Sequence, residues 1–148
     1  MGIMKISIIY LSRFGNSETC ARRLADSVRG AGNEAFLYSV LEIRPKTVPE
    51  SDLYVVCSPT QFKRPPVRLI RFIRSLEIGE NPPKYAIVNT YFEESEVVDR
   101  LSKILDEKGL SAAVSSVALR LHDSEGPLEP GFEAKLDAFS DAFLSALS

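Results

Sequence analysis

The stretch KISIIYLSRFGNS, residues 5–17, decides the fold. Lys5 to Tyr10 is a short β-branched run, and the Gly15-Asn16-Ser17 turn leads from it into a helical pattern with Cys20, Ala21, Leu24, Ala25 and Val28 on one face. Gly30 and Gly32 stop that helix. The rest of the chain alternates in the same way. Glu34 to Val40 reads as a second strand, and Asp52 to Cys57 as a third whose unbroken apolar run marks burial on both faces. Pro65-Pro66 opens a helix with the stripe Leu69, Ile70, Ile73 and Leu76. Tyr85 to Asn89 is a fourth strand, followed by a helix carrying Val97, Val98, Leu101, Ile104 and Leu105 and closed by Gly109. Ala112 to Leu121 is a fifth strand, and Phe132, Leu136, Phe139, Phe143 and Leu147 form the inner face of a last helix. Only Leu41 to Ser51, with its prolines and no periodicity, lacks a helix where the alternation calls for one. The pattern predicts a three-layer α/β/α sandwich, a doubly wound five-stranded parallel sheet with right-handed crossovers, as one domain over residues 1–148.

Composition is consistent with this. The 148 residues are 45% apolar and 26% charged, which excludes a disordered or collagenous chain. Two cysteines, Cys20 and Cys57, make neither a disulfide framework nor a metal site, and one histidine, His122, leaves little room for Ser-His-Asp or zinc chemistry. No apolar run approaches a membrane span. The opening MGIMKISIIYL is broken by Lys5 and Ser7 and does not read as a signal peptide, and Ile6 spoils a myristoylation pattern. The expected location is the cytoplasm. Net charge is −2, yet residues 1–75 hold 12 Lys/Arg against 6 Asp/Glu and residues 76–148 hold 6 against 14. Such an asymmetry either steers charged partners or reflects two sets of solvated helix faces.

In an open α/β sheet, ligands bind beyond the carboxyl ends of the strands where strand order reverses, so the loops after strands one, three and four carry the chemistry. The first is Ser12-Arg13-Phe14-Gly15-Asn16-Ser17, at a helix N-terminus whose free N–H groups and partial positive charge attract phosphate. Gly15 can take a positive φ, and Ser12, Asn16 and Ser17 offer donors. With no Walker lysine and no G-x-G-x-x-G, neither an NTPase nor a dinucleotide fingerprint is present, and the same residues would serve as a helix cap. The second loop, Ser58-Pro59-Thr60-Gln61-Phe62-Lys63-Arg64, supplies a wall for a flat ligand unless Phe62 tucks under the next helix. The third is Asn89-Thr90-Tyr91-Phe92. Its neighbouring aromatics point opposite ways in extended chain, so one faces the cleft, while Glu93 and Glu94 start a helix where acids suit the dipole.

Together these loops resemble the flavodoxin family. Y-x-S-R-F-G-N-S is similar to its phosphate loop S/T-x-T-G-N-T, with Arg13 and Phe14 as departures. S-P-T-Q-F and N-T-Y-F are similar to its loops after strands three and four, and G-P-L-E-P-G at Gly126–Gly131 also resembles members of the family. The resemblance covers essentially the whole chain and implies strand order 2-1-3-4-5 and bound FMN. It places Ser12, Arg13, Phe14, Gly15, Asn16 and Ser17 at the phosphate. Ser58, Pro59, Thr60, Gln61 and Phe62 would lie at one side of the ring, and Asn89, Thr90, Tyr91 and Phe92 at the other. The function it implies is electron transfer to a redox partner protein or small acceptor.

Two departures bear on the role. Flavodoxins that stabilise the one-electron state usually carry a glycine early in the loop after strand three. Here Pro59 stands there, no glycine follows until Gly79, and P-T-x-F is closer to flavodoxin-like quinone reductases. Flavodoxins are also typically strongly acidic. The alternatives are a small FMN-dependent quinone or NAD(P)H reductase, or a flavodoxin-fold interaction module without FMN. Ser12 and Cys57 occupy the places where a receiver domain needs acids, and Lys63 stands where a cysteine phosphatase using Cys57 needs Arg. His122 falls near the cleft rim, either as a proton donor or as a surface residue. Arg64, Arg68 and Arg71, at i, i+4 and i+7 with Lys63 and Arg74 nearby, form a basic stripe. That stripe fits an acidic redox partner or the phosphate of a nicotinamide donor, or is simply a solvated face. Nucleic acid does not fit a chain of this charge without a dedicated module.

Overall fold

The computed structural model describes residues 2–148. Strands β1 (Lys5–Tyr10), β2 (Glu34–Ser39), β3 (Leu53–Ser58) and β4 (Lys84–Tyr91) alternate with helices α1 (Asn16–Gly30), α2 (Val67–Arg74) and α3 (Val97–Glu107). Two short strands, β5 (Ser111–Ala112) and β6 (Val117–Arg120), precede the final helix α4 (Phe132–Leu147). The sheet is parallel throughout with order β2-β1-β3-β4-β5, and β6 also pairs with β4. The expected order 2-1-3-4-5 is therefore present.

Successive residues of the central strands face opposite sides of the sheet, and both sets are mainly apolar, with Ser7, Ser58, Asn89 and Thr90 as buried polar exceptions. Ile6 and Ile8 of β1, Val55 and Cys57 of β3, and Ala86 and Val88 of β4 join Leu24, Val28, Leu136 and Phe143 in one core, on the side of α1 and α4. Ile9, Tyr54, Val56, Tyr85 and Ile87 point the other way, against Leu69, Ile73, Leu101 and Leu105 of α2 and α3. Each central strand thus has two buried faces, as a sheet covered by helices on both sides requires. Both thiols belong to this packing. Burial pushes Cys20 up to about 12 and raises Cys57 as well, so neither supplies a thiolate nucleophile near neutral pH.

Three sequence expectations change. The fifth strand is not one run from Ala112 to Leu121. Between the pairs Tyr85↔Ala112 and Val88↔Val117 the chain advances five residues while β4 advances three, so two extra residues loop out and split the edge strand. Pro65 and Pro66 lie before α2, with Pro66 as its N-cap, and Phe72 is buried beside the predicted stripe. Glu93 and Glu94 do not open α3, whose first residue is Val97. The expectation of an irregular Leu41–Ser51 crossover holds. Only a short 3-10 turn, Pro45–Thr47, forms there, and the buried Tyr54 hydroxyl anchors the segment by donating to the Pro49 carbonyl and accepting from the Ser51 N–H.

No helix among the described residues is long and apolar enough to cross a membrane, and no cluster of metal-ligating side chains occurs among them.

Candidate functional site

The carboxyl ends of β1, β3 and β4 empty into one cavity of about 670 Å³, within the range that holds a cofactor-sized ligand. Ser12, Arg13, Phe14, Asn16 and Ser17 line it from the first loop, and Pro59, Thr60, Gln61, Phe62 and Lys63 from the second. Thr90, Tyr91, Phe92, Glu93 and Glu94 line it from the third. Leu121 and Ser124, from beyond the sheet edge, complete the wall.

The first loop is built to leave its donors free. Gly15 caps α1 at φ +92°, a backbone state costly for any residue with a Cβ, and no side chain caps the first helical turn. Of the cap reading only the glycine holds: Gly15 is the N-cap, while Asn16 and Ser17 lie in the first helical turn without a capping hydrogen bond. Asn16 instead donates to the Glu125 carbonyl. Gly126 lies so close to it that a Cβ there would sit 2.9 Å from Asn16 Oδ1. The hydroxyls of Ser12 and Ser17 are buried with no hydrogen-bond partner, and so is that of Thr90. These three are the orphaned buried side-chain groups among the described residues, and all three line the same cavity. A buried hydroxyl without a partner costs about 1–3 kcal/mol, so three along the wall of one cavity favour a ligand or solvent that accepts from them there.

The second loop is braced by the protein itself, within its turn and from β4 and Glu96. Gln61 and Arg64 exchange backbone hydrogen bonds across a two-residue turn formed by Phe62 (φ +51°) and Lys63 (φ +69°). Two successive positive φ values are the pattern of hairpin turns that usually recruit Asn-Gly. The Lys63 carbonyl accepts from the Glu96 N–H at 2.6 Å, and Thr60 Oγ1 donates to the Thr90 carbonyl. Beneath the loop, the Asn89 amide donates to the Ser58 carbonyl, Thr60 Oγ1 and the Thr90 carbonyl. This bracing holds Phe62 98% exposed at the turn's tip, not tucked under α2.

Ser58 and Asn89 do not line the cavity. Both are buried, Ser58 donates to the Pro59 carbonyl, and their hydrogen bonds hold the loop rather than face a ligand. Gly15 shapes its loop without lining the cavity itself. Tyr91 and Phe92 both line it, where one was expected. The residues missed were Lys63, Glu93, Glu94, Leu121 and Ser124. The last two sit at and just beyond the carboxyl end of the expected fifth strand, and the same rule that singled out the other carboxyl-end loops could have found them. His122 is exposed and does not line the cavity. Lys63 and Arg13 bring positive charge to the rim, while Glu93 and Glu94 bring negative charge from the third loop.

No curated protein matches the chain. Among solved structures it is similar to oxidised flavodoxin 1 of Bacillus cereus, with 21% identity, a TM-score of 0.80, and coverage of 97% of this chain and 99% of that one. A flavodoxin of Streptococcus pneumoniae gives 18% identity and 0.77 over 95% and 98% of the two chains. The rubredoxin oxygen:oxidoreductase of Desulfovibrio gigas gives 19% and 0.80, where 97% of this chain matches 36% of that longer one. At these identities the likeness concerns the fold. The flavodoxin family model matches residues 8–134, which is most of the chain and takes in all three cavity loops, and on that ground the chain belongs to the flavodoxin family.

Proposed function

We propose that the protein binds FMN non-covalently in this cavity and transfers electrons between protein partners. The observation that carries the reading is the trio of orphaned hydroxyls at Ser12, Ser17 and Thr90 on the cavity wall. Two of them lie at the N-terminus of α1, which has no side-chain cap, where free N–H groups and the helix dipole favour a phosphate. Bound there, FMN would supply the redox chemistry, one or two electrons at its ring.

The chain's own residues bind, orient and shield. Ser12 and Ser17 donate to phosphate oxygens, with Asn16 held in place by the Glu125 carbonyl. Gly15 lets the backbone turn without a side chain between it and the ligand. Phe62 and Tyr91 provide aromatic walls on opposite sides, and Phe92 widens the second wall. Thr90 presents its free hydroxyl beside that wall. Asn89 and Ser58 act one layer below, holding the loops that carry Thr60 and Thr90.

The test is a visible absorption spectrum of the purified chain after adding excess FMN and removing what is unbound. A retained, roughly stoichiometric flavin band is expected, and a folded chain that keeps none overturns the reading. Stepwise chemical reduction of the loaded protein then separates a carrier from a reductase. Two distinct one-electron steps support the carrier, and a single two-electron step supports the FMN-dependent reductase.

A further inference from the structure

Of the eleven arginines, four have partners, three (Arg13, Arg44 and Arg120) stand singly in the sequence with no carboxylate partner among the described residues, and four more cluster within residues 64–74. On the α1/α4 side, Arg22 pairs with Glu18 and Arg23 with Asp137, and Arg29 donates to the Ala35 carbonyl. On α3, Arg100 pairs with Glu96. Along α2 the pattern stops. Arg64, Arg68, Arg71 and Arg74 are all exposed, and none has a carboxylate partner among the described residues. No acid lies on α2 itself, and the nearest in sequence, Glu77, follows the helix. Within this row of sequence Val67 is 62% exposed, an apolar side chain between Arg64 and Arg68 in the chain. The row is continuous with the cavity, since Arg64 closes the turn whose tip residues, Phe62 and Lys63, form the cavity wall.

We infer that the exposed face of α2, from Arg64 through Val67, Arg68 and Arg71, is the docking surface for an acidic protein redox partner. A row of unpaired like charges raises the local potential, speeds encounter with an opposite charge and repels a like one. Arginine is also among the residue types that concentrate binding energy at protein interfaces. Arg68, Arg71 and Arg74 extend over about 9 Å of helix, at about 1.5 Å per residue, and Arg64 prolongs the row into the turn before it. That spread suits an acidic protein surface better than the single phosphate of a nicotinamide cofactor. The placement beside the cavity brings such a partner next to the redox centre. This inference rests on the electron-transfer reading for its purpose, but the docking itself does not require bound flavin.

The experiment is a titration of the isotope-labelled chain, as purified, followed by backbone amide resonances. The probes are an acidic plant-type ferredoxin and a basic cytochrome c. Ferredoxin at low salt should shift amides of the 61–64 turn and of α2, with release at 0.5 M salt, because surface charge is then screened within about 3–5 Å. Cytochrome c should leave α2 unmoved. Arg68→Glu with Arg71→Glu should weaken ferredoxin binding at least tenfold. The same change of charge at Arg22 and Lys135, on the opposite face, should weaken it less than threefold. Equal loss in both doubles would show a net-charge effect and overturn the assignment. So would an α2 that ferredoxin leaves unmoved, an α2 occupied by cytochrome c, or α2 shifts that grow with concentration of the chain alone, which would make the occupant a second copy. Flavin retention, read from the absorption spectrum of the same samples, reports separately on the cofactor reading.

Discussion

The loop after β1 and the loop after β3 reach the same cavity and are built on opposite principles. The first, Ser12 to Ser17, relies on a glycine for its one positive φ among its residues and leaves two buried hydroxyls without partners. The second, Ser58 to Arg64, takes two positive φ values without any glycine and is braced by hydrogen bonds within its own turn and to Asn89, Thr90 and Glu96. An unfinished hydrogen-bond shell is a site waiting for a ligand to complete it. A finished one is a wall, which holds an aromatic in position whether or not a ligand is there. The difference teaches that a loop's role is read from what its polar atoms lack as much as from what they touch.

The sharpest way to break that comparison is to remove the waiting donors. Ser12→Ala with Ser17→Ala should cost about 3–6 kcal/mol of FMN affinity, since each hydrogen bond to a charged acceptor is worth about 1.5–3. The flavin-free protein should become more stable by about 1 kcal/mol or more, because two unpaired buried hydroxyls are gone. Calorimetric titration with FMN and urea unfolding of the flavin-free chain read the two effects. A loss of stability with unchanged affinity would make these hydroxyls structural and erase the contrast.

The second loop should answer the other way. Asn89→Ala removes the amide that ties Ser58, Thr60 and Thr90 together, and should lower stability by about 2–3 kcal/mol. Urea unfolding of the flavin-free protein is the measurement, since the brace exists without a ligand. Phe62→Ala should leave stability nearly unchanged, because the ring is almost wholly exposed, and weaken flavin binding by about 0.5–1.5 kcal/mol, as loss of one stacking wall implies. The smallest effect belongs to Lys63→Gly. Relief of about 1–2 kcal/mol of left-handed strain, set against glycine's entropic cost of about 0.5–1, leaves a stability gain of up to about 1.5 kcal/mol. A loss on unfolding would mean that the Lys63 side chain contributes more to the turn than its backbone costs.

Much of the architecture was legible because it rests on short-range patterns. The all-apolar runs in Leu53–Cys57 and Tyr85–Val88 could belong only to strands buried on both faces, and the helical spacing of Leu24, Val28, Leu101 and Leu105 named the faces that cover them. Gly15 at a strand-to-helix junction announced its positive φ. The split of the fifth strand was not legible, because Ala113 to Ser116 has no composition that separates a bulged edge from a continuous one. Glu93 and Glu94 were misplaced for a related reason. An acidic pair suits a helix start, but where α3 begins depends on the Glu96 N–H being held by the Lys63 carbonyl of a distant loop.

Local pattern alone carried the alternation of strands and helices, the composition of the loops after β1, β3 and β4, and the basic row at residues 64–74, since each depends on residues within a few positions of one another. Only the tertiary structure decided which polar groups in those loops are spent and which are free. Asn89 is consumed by the carbonyls of Ser58 and Thr90, while Ser12, Ser17 and Thr90 keep hydroxyls unpaired, and α2's arginines lack the carboxylates that their counterparts on α1 find on the same helix or on α4. Hydrogen-bond satisfaction is a property of atoms brought together from across the chain, and no local pattern records it.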